Sequence, residues 1–123
     1  MGASVDGRED GKLAPLVFRG GRIHGIRYRM SVASAQVKSA LMLAALFADG
    51  ETTLDQPARS RDHTEVMFRA MGVDVTEEGL AVTVRPGRLK ALDVTVPADI
   101  SSATYWLVAA VCHTDAEVRV RNV

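Results

Sequence analysis

The sequence predicts an α/β (α+β) fold in which βαβαββ repeats form mixed sheets packed on buried helices, and three observations lead to this prediction. Short segments with period-two alternation are interleaved with longer segments of helical pattern. The same order of elements occurs twice along the chain, which indicates an internal repeat. The composition, with 47% apolar and 24% charged residues, is typical of a globular domain with one core.

Strands are predicted where an apolar run is short or alternates with charged residues. The clearest alternation places Ile26, Tyr28 and Met30 on one face and the intervening arginines on the other. An apolar strand over residues 14–18 precedes the pair Gly20-Gly21. Further strands are predicted over residues 51–56, 73–76, 80–84 and 93–96, with a closing strand at Val118 and Val120.

The first predicted helix begins at Ser34 and runs to about Asp49, where Gly50 ends it. From Ala40 onward this helix is apolar on every side, so we expect it to be buried all round. Lys38 lies one helical turn past Ser34 and could reach an anion, but a solvated lysine is the expected state there.

Two further helices differ in their patterns. The second, over residues 62–71, is amphipathic, so we expect a surface helix that buries Val66, Met67, Ala70 and Met71 and leaves Asp62, Glu65 and Arg69 outside. The third, over residues 101–112, is apolar nearly throughout. We expect Tyr105, Trp106 and the thiol of Cys112 to pack in a core there.

The repeat becomes visible when Met1-Gly2 is aligned with Met71-Gly72. Residues 51–54 then align with residues 117–120, and the offset shrinks from 70 to 66 residues through deletions in loops. The strands and the buried helices match in order between these points. Because Met71-Gly72 ends a helix, we expect Met1 to follow a helix and the repeat to continue after Val123, so that both ends are internal to a longer repeated structure.

Charge and composition argue against several classes of function. Fifteen basic and fifteen acidic residues balance, so no overall field attracts nucleic acid or a membrane surface. The longest apolar run, residues 40–48, is too short to span a bilayer, and residues 1–11 have no signal-peptide core. The single Cys112 cannot form an internal disulfide, which favours a reducing, cytoplasmic location.

The start of the first helix is the first candidate site. Ser34, Ala35 and Gln36 offer a hydroxyl, free backbone amides and a side-chain amide at a helix N-terminus, where the dipole favours an oxyanion such as phosphate. Ser34 is also an ordinary N-cap residue, and on spacing alone this simpler role is favoured. Both interpretations remain open at this point.

The turn before the second helix is the second candidate site. Arg61 could give a forked, charge-assisted pair to a phosphate or carboxylate, although a solvated surface turn is the more common use of such a segment. Asp62, His63 and Glu65 do not have the spacing of a known metal motif, so no metal site is predicted.

Four ordered motifs carry a family resemblance. SVASAQVKSA (residues 31–40), ADGETT (48–53), SRDHTE (60–65) and VPADISSA (96–103) together resemble the enolpyruvyl transferases, and specifically the 5-enolpyruvylshikimate-3-phosphate synthase family, in order and spacing. Two positions depart from that pattern: Ser31 stands where the family usually has Pro, and Ala98 stands where it usually has Gly.

The resemblance implies a fold, a reaction and a division of roles. The family transfers the enolpyruvyl group of phosphoenolpyruvate to the 5-hydroxyl of shikimate 3-phosphate, by addition and elimination with release of phosphate, and without a cofactor. It implies that Ser34, Ala35 and Gln36 contact shikimate 3-phosphate, with Ser34 on the phosphate, and that Arg61 lies at the same substrate. The family's catalytic acid and base, its N-terminal basic segment and its glycine-rich phosphoenolpyruvate loop have no counterpart among these motifs, so no catalytic residue is expected within this chain.

The resemblance also implies domain organisation. The family has two domains, each made of three pseudo-symmetric units. Residues 1–96 are expected to form the end of one βαβαββ unit and a following unit of the first domain. Residues 97–123 are expected to begin the next repeat at the crossover into the second domain.

Two other functions stay open beside this family. The sibling UDP-N-acetylglucosamine enolpyruvyl transferase shares the repeat, although its reactive loop cysteine is not evident and the SRDHTE motif argues against it. A non-catalytic anion-binding repeat module is the alternative from another class. A lone repeat would also leave strand edges and buried-type helices uncovered, so we expect that it can self-associate.

Overall fold

A computed structural model describes all 123 residues as two compact units, Met1–Leu92 and Asp93–Val123. The elements of the first unit are β1 (Ser4–Gly7), the single turn α1 (Arg8–Gly11), β2 (Leu13–Arg19), β3 (Arg27–Arg29), α2 (Ala35–Ala45), β4 (Thr52–Asp55), α3 (His63–Ala70), β5 (Val75–Glu78) and β6 (Ala81–Val84). The second unit contains α4 (Ile100–Val111). No helix is both long and apolar enough to cross a membrane.

The chain begins with a two-stranded antiparallel ribbon. Strand β1 pairs with β2 in a register that sets Ser4 opposite Arg19 and Gly7 opposite Leu16. Within the connecting turn α1, Glu9 and Asp10 adopt left-handed backbone conformations, with φ of 49° and 55°. The sequence predicted β2 but not β1, because residues 4–7 contain one large apolar side chain and show no alternation.

A mixed four-stranded sheet organises the rest of the first unit, with strand order β3-β4-β6-β5. Strands β3 and β4 are parallel and are therefore joined by a helical crossover, α2, whereas β4, β6 and β5 are antiparallel neighbours. Gly79 turns the β5–β6 hairpin with a φ of 62°, a conformation that favours glycine. The mixed sheet and its packing on helices confirm the predicted fold class.

The core of the first unit lies between this sheet and helices α2 and α3. Strand β4 alternates buried and half-buried residues, as one covered face requires. The core members are all apolar, and they come from every part of the unit after the ribbon: Met30, Met42, Ala45, Leu46, Leu54, Phe68, Val73, Val75, Val82 and Val84.

Helix α2 is shorter and less buried than the sequence predicted. It ends at Ala45 and not near Asp49. Met42 and Ala45 are fully buried against the sheet, but Leu43 and Phe47 are exposed. The prediction of burial all round is therefore wrong for this structure, because only one side of the helix has a sheet to pack on.

The buried face of α3 also differs from the prediction. Val66 and Met67 are exposed, while Glu65 and Phe68 are buried. The amphipathic pattern placed Glu65 outside because an isolated carboxylate avoids burial, and that reasoning did not allow for a buried cationic partner.

The second unit consists of α4 and irregular chain. Asp99 caps the helix, since its carboxylate accepts hydrogen bonds from the Ser101 amide at 2.9 Å and the Ser102 hydroxyl at 2.7 Å. The strands predicted over residues 93–96 and at Val118 and Val120 do not form.

The core predictions for the third helix are wrong in this structure. Tyr105, Trp106 and Cys112 are exposed, and Ala103 is the buried residue of α4. The physical reason is that residues 93–123 contain no sheet on which an apolar helix could pack.

Candidate functional site: a polar cleft between two helix starts

A surface cleft of about 420 Å³ lies where α2 begins and where the chain approaches α3. Its lining consists of Ala33, Ser34, Ala35, Gln36, Ser60 and Arg61. The four residues predicted as a site, Ser34, Ala35, Gln36 and Arg61, are therefore brought together, although Arg61 follows the first three by 25 to 27 positions. Ala35, Gln36 and Arg61 also line an adjoining cleft of about 310 Å³, together with Ser39, His63 and Thr64.

Ser34 is the N-cap of α2. Its backbone is extended, with φ −110° and ψ 115°, and its Oγ accepts a hydrogen bond from the Val37 amide at 3.3 Å. The predicted capping role is thus confirmed. The amides of Ala35 and Gln36 are in the first turn, where no helical carbonyl can accept from them, so they remain available to an anion in the cleft.

Arg61 reaches the cleft from the turn between β4 and α3. The Ser60 hydroxyl donates to the side-chain Oε1 of Gln56 at 2.7 Å, and the backbone amide of Gln56 donates to the Leu80 carbonyl at 3.1 Å. These hydrogen bonds connect the turn to the β5–β6 hairpin. The Arg61 side chain is exposed and takes part in none of the ion pairs of the chain. Its guanidinium can therefore pair with an incoming carboxylate or phosphate.

Lys38 corrects the prediction of a solvated lysine. Its side chain is 1% exposed and forms an ion pair with Glu65, which is equally buried. Because this charge is already neutralised, the cleft receives its positive charge from Arg61 and from the helix dipole.

Sequence reasoning missed this pair, although the sequence contained a signal. Lys38 stands among the small and apolar residues of a helix predicted to be buried, and a buried lysine requires a carboxylate. Glu65 is an acidic residue of a helix predicted to pack on the same core. Side-chain polar contacts between α2 and α3, including the hydrogen bond of 2.6 Å between Ser39 Oγ and Thr64 Oγ1, follow from the packing and not from a local pattern.

The chain is similar to known proteins over its whole length. The sequence model of the family EPSP synthase (3-phosphoshikimate 1-carboxyvinyltransferase) matches residues 1–123. A 3-phosphoshikimate 1-carboxyvinyltransferase of Syntrophomonas wolfei is 50% identical over 124 residues, and one of Geobacillus kaustophilus is 52% identical over 124 residues. Each alignment covers 100% of this chain and 29% of the relative, so the chain spans less than a third of the length of these curated relatives.

A solved structure supports the same assignment. The EPSP synthase of Acinetobacter baumannii superposes with a TM-score of 0.77 at 43% identity, over 89% of this chain and 25% of that protein. The mixed sheet, the cleft at the start of α2 and the match over residues 1–123 lead to one conclusion: the chain belongs to the EPSP synthase (3-phosphoshikimate 1-carboxyvinyltransferase) family.

Proposed function

We propose that this chain is the part of a 3-phosphoshikimate 1-carboxyvinyltransferase that holds shikimate 3-phosphate. The observation that carries the proposal is the cleft in which the N-terminus of α2 faces an arginine without an ion-pair partner. The Ser34 hydroxyl and the amides of Ala35 and Gln36 bind the phosphate, and Arg61 binds an oxygen of the same substrate.

The chemistry of the whole enzyme follows from the family. Its reaction moves an enolpyruvyl group from phosphoenolpyruvate to the 5-hydroxyl of shikimate 3-phosphate and releases phosphate. The contribution of this chain is to fix the acceptor, which lowers the entropic cost of bringing two reactants together. The proton transfers are assigned to other parts of the enzyme, and a cytoplasmic location is proposed from the single cysteine.

The direct test is a calorimetric titration of the chain with shikimate 3-phosphate. We expect Arg61→Ala to raise the Kd about tenfold or more, because a charge-assisted hydrogen bond is lost. Arg59→Ala is the matched control: Arg59 is a neighbouring exposed arginine that lines a different cleft. We expect it to change the Kd by no more than about twofold, as is usual for a surface substitution.

Equal affinity of Arg61→Ala and the parent chain would remove Arg61 from the site. Equal losses in Arg61→Ala and Arg59→Ala would show that only net positive charge matters. The second result would favour the non-catalytic anion-binding alternative, because a module of that kind needs no particular arginine.

A further inference from the structure

The buried ion pair between Lys38 and Glu65 connects the two sides of the cleft. Lys38 lies one helical turn after Ser34 on α2, and Glu65 lies in the first turn of α3, four residues after Arg61. Both side chains are 1% exposed. The pair therefore joins the two helices about one helical turn from the residues that line the cleft.

Stability alone does not explain why an ion pair occupies this place. Burying two charges has a desolvation cost that their mutual attraction offsets only in part. A protein with an apolar pair of similar volume at the same place is therefore often as stable. The Oε2 atom of Glu65 adds to this cost, because it is buried and has no hydrogen-bond partner in the protein. An ion pair adds to packing a directional contact of defined length between two helices.

The segment that carries Arg61 depends on such directed contacts. Arg59 and Asp62 line a further cleft of about 260 Å³, which Lys38 and Glu65 also line, so no apolar packing fixes the segment on that side. Its ends are held by polar links: Ser60 to Gln56 on one side, and the Ser39–Thr64 hydrogen bond beside the ion pair on the other.

We propose that Lys38 and Glu65 are a positioning pair that sets the separation between Ser34 and Arg61, and that they thereby fix the geometry with which the cleft receives shikimate 3-phosphate. Neither side chain lines the cleft, and both are 1% exposed, so the pair acts through the cleft residues and not on the ligand itself. The inference rests on the proposed function for the identity of the ligand, and on the geometry of this structure for the role of the pair.

The test replaces the pair by apolar side chains of similar size, Lys38→Met with Glu65→Leu. Because both charges are removed together, we expect the double variant to fold with a Tm close to that of the parent chain. We expect its Kd for shikimate 3-phosphate to rise about tenfold or more, because small displacements of positioning groups have large effects. A Kd equal to that of the parent chain would overturn the proposal.

A second ion pair provides the matched control. Arg27 and Asp55 join β3 to β4 through two hydrogen bonds of 2.9 Å, and neither residue lines the cleft. Arg27→Met with Asp55→Leu should leave the Kd unchanged. If the Lys38→Met/Glu65→Leu variant does not fold, Glu65→Asp is used, which keeps the charge and shortens the side chain. A parental Kd in that variant at a retained Tm would equally overturn the proposal.

Amide hydrogen exchange without ligand separates this inference from the proposed function. If the parent chain does not bind shikimate 3-phosphate, the proposed function fails, but the positioning role is still decided by exchange at the amides of Val37 and Val66, which are hydrogen-bonded at the starts of α2 and α3. Faster exchange at both in the Lys38/Glu65 variant, but not in the Arg27/Asp55 variant, supports the role. Unchanged exchange at both contradicts it.

Discussion

Ser34 can cap helix α2 and donate a hydrogen bond to an anion at the same time. Its Oγ accepts from the Val37 amide and so satisfies one of the free donors of α2, while its hydroxyl hydrogen remains able to donate into the cleft. The competing interpretations of this residue, an N-cap or an anion ligand, are therefore compatible. A substitution that preserves the cap and changes the charge can separate them.

We expect Ser34→Asp to keep the stability of the chain and to weaken the binding of shikimate 3-phosphate about tenfold or more, because Asp caps as well as Ser but its carboxylate repels a phosphate. Ser34→Ala should instead lower the free energy of unfolding by about 1 kcal/mol through loss of the cap. Urea unfolding and calorimetric titration of both variants measure the two effects. Unimpaired binding by Ser34→Asp would place the phosphate elsewhere.

The sequence predicts the residues of the candidate site that belong to local patterns, but not those that depend on contacts between distant parts of the chain. Ser34 and Arg61 follow recognisable helix-start signals and a family motif, and the structure places both in one cleft. The sequence predicts that Lys38 and Glu65 are exposed to solvent. Their pairing depends on the packing of α2 against α3, which no local pattern reveals. A charged side chain is expected to be exposed unless a distant partner for its charge is known.

At the scale of elements, the crossover β3-α2-β4 is held at the far end of the helix by a polar cluster. The Asp49 amide donates to the Ile23 carbonyl at 3.0 Å, and the Asp49 carboxylate contacts His24 Nδ1 at 2.8 Å. The hydrogen bond from His24 holds the pKa of the Asp49 carboxyl below its ordinary value of 3.8, and the charge of Arg22 adds to the effect. These groups are exposed, so solvent weakens the interaction.

A lowered carboxyl pKa in the folded state stabilises the fold above the unfolded pKa, and this stabilisation is lost as the pH falls through the folded value. Asp49→Asn should therefore be less stable than the parent chain at pH 6, and the difference should shrink below a pH of about 3.8. Urea unfolding across this range measures it. Asp10→Asn, an exposed acid in no ion pair, is the control and should track the parent chain. A difference that grows on acidification would contradict the assignment.

The elements that sequence patterns predicted best are those whose packing partners lie within the same unit. Strands β4 and β6 belong to one sheet with a covered face, and their alternation matches their burial. The strands expected over residues 93–96 and at Val118 had the same kind of pattern and do not form. A strand is stabilised by its neighbouring strands, so a segment with an alternating pattern forms a strand only where a partner strand is present.

At the scale of the whole molecule, helix α4 leaves large apolar side chains uncovered, among them Trp106 and Val111. An exposed apolar surface of this kind is typical of a face that another element covers. Self-association of the chain therefore stays a prediction, as does the assignment of residues 1–96 and 97–123 to different domains of the family.

The last prediction concerns catalysis by the chain on its own. Enolpyruvyl transfer needs proton transfers at the methylene carbon of phosphoenolpyruvate and at the acceptor hydroxyl. The polar side chains that line the first cleft come from two serines, a glutamine and an arginine. In the adjoining cleft, His63 is the only side chain in either cleft that commonly acts as a general acid or base. We therefore expect the chain to bind shikimate 3-phosphate without turning it over. Phosphate release from phosphoenolpyruvate plus shikimate 3-phosphate should equal that of a sample without protein, and release above that level that disappears in Arg61→Ala would show that this cleft also supports the chemistry.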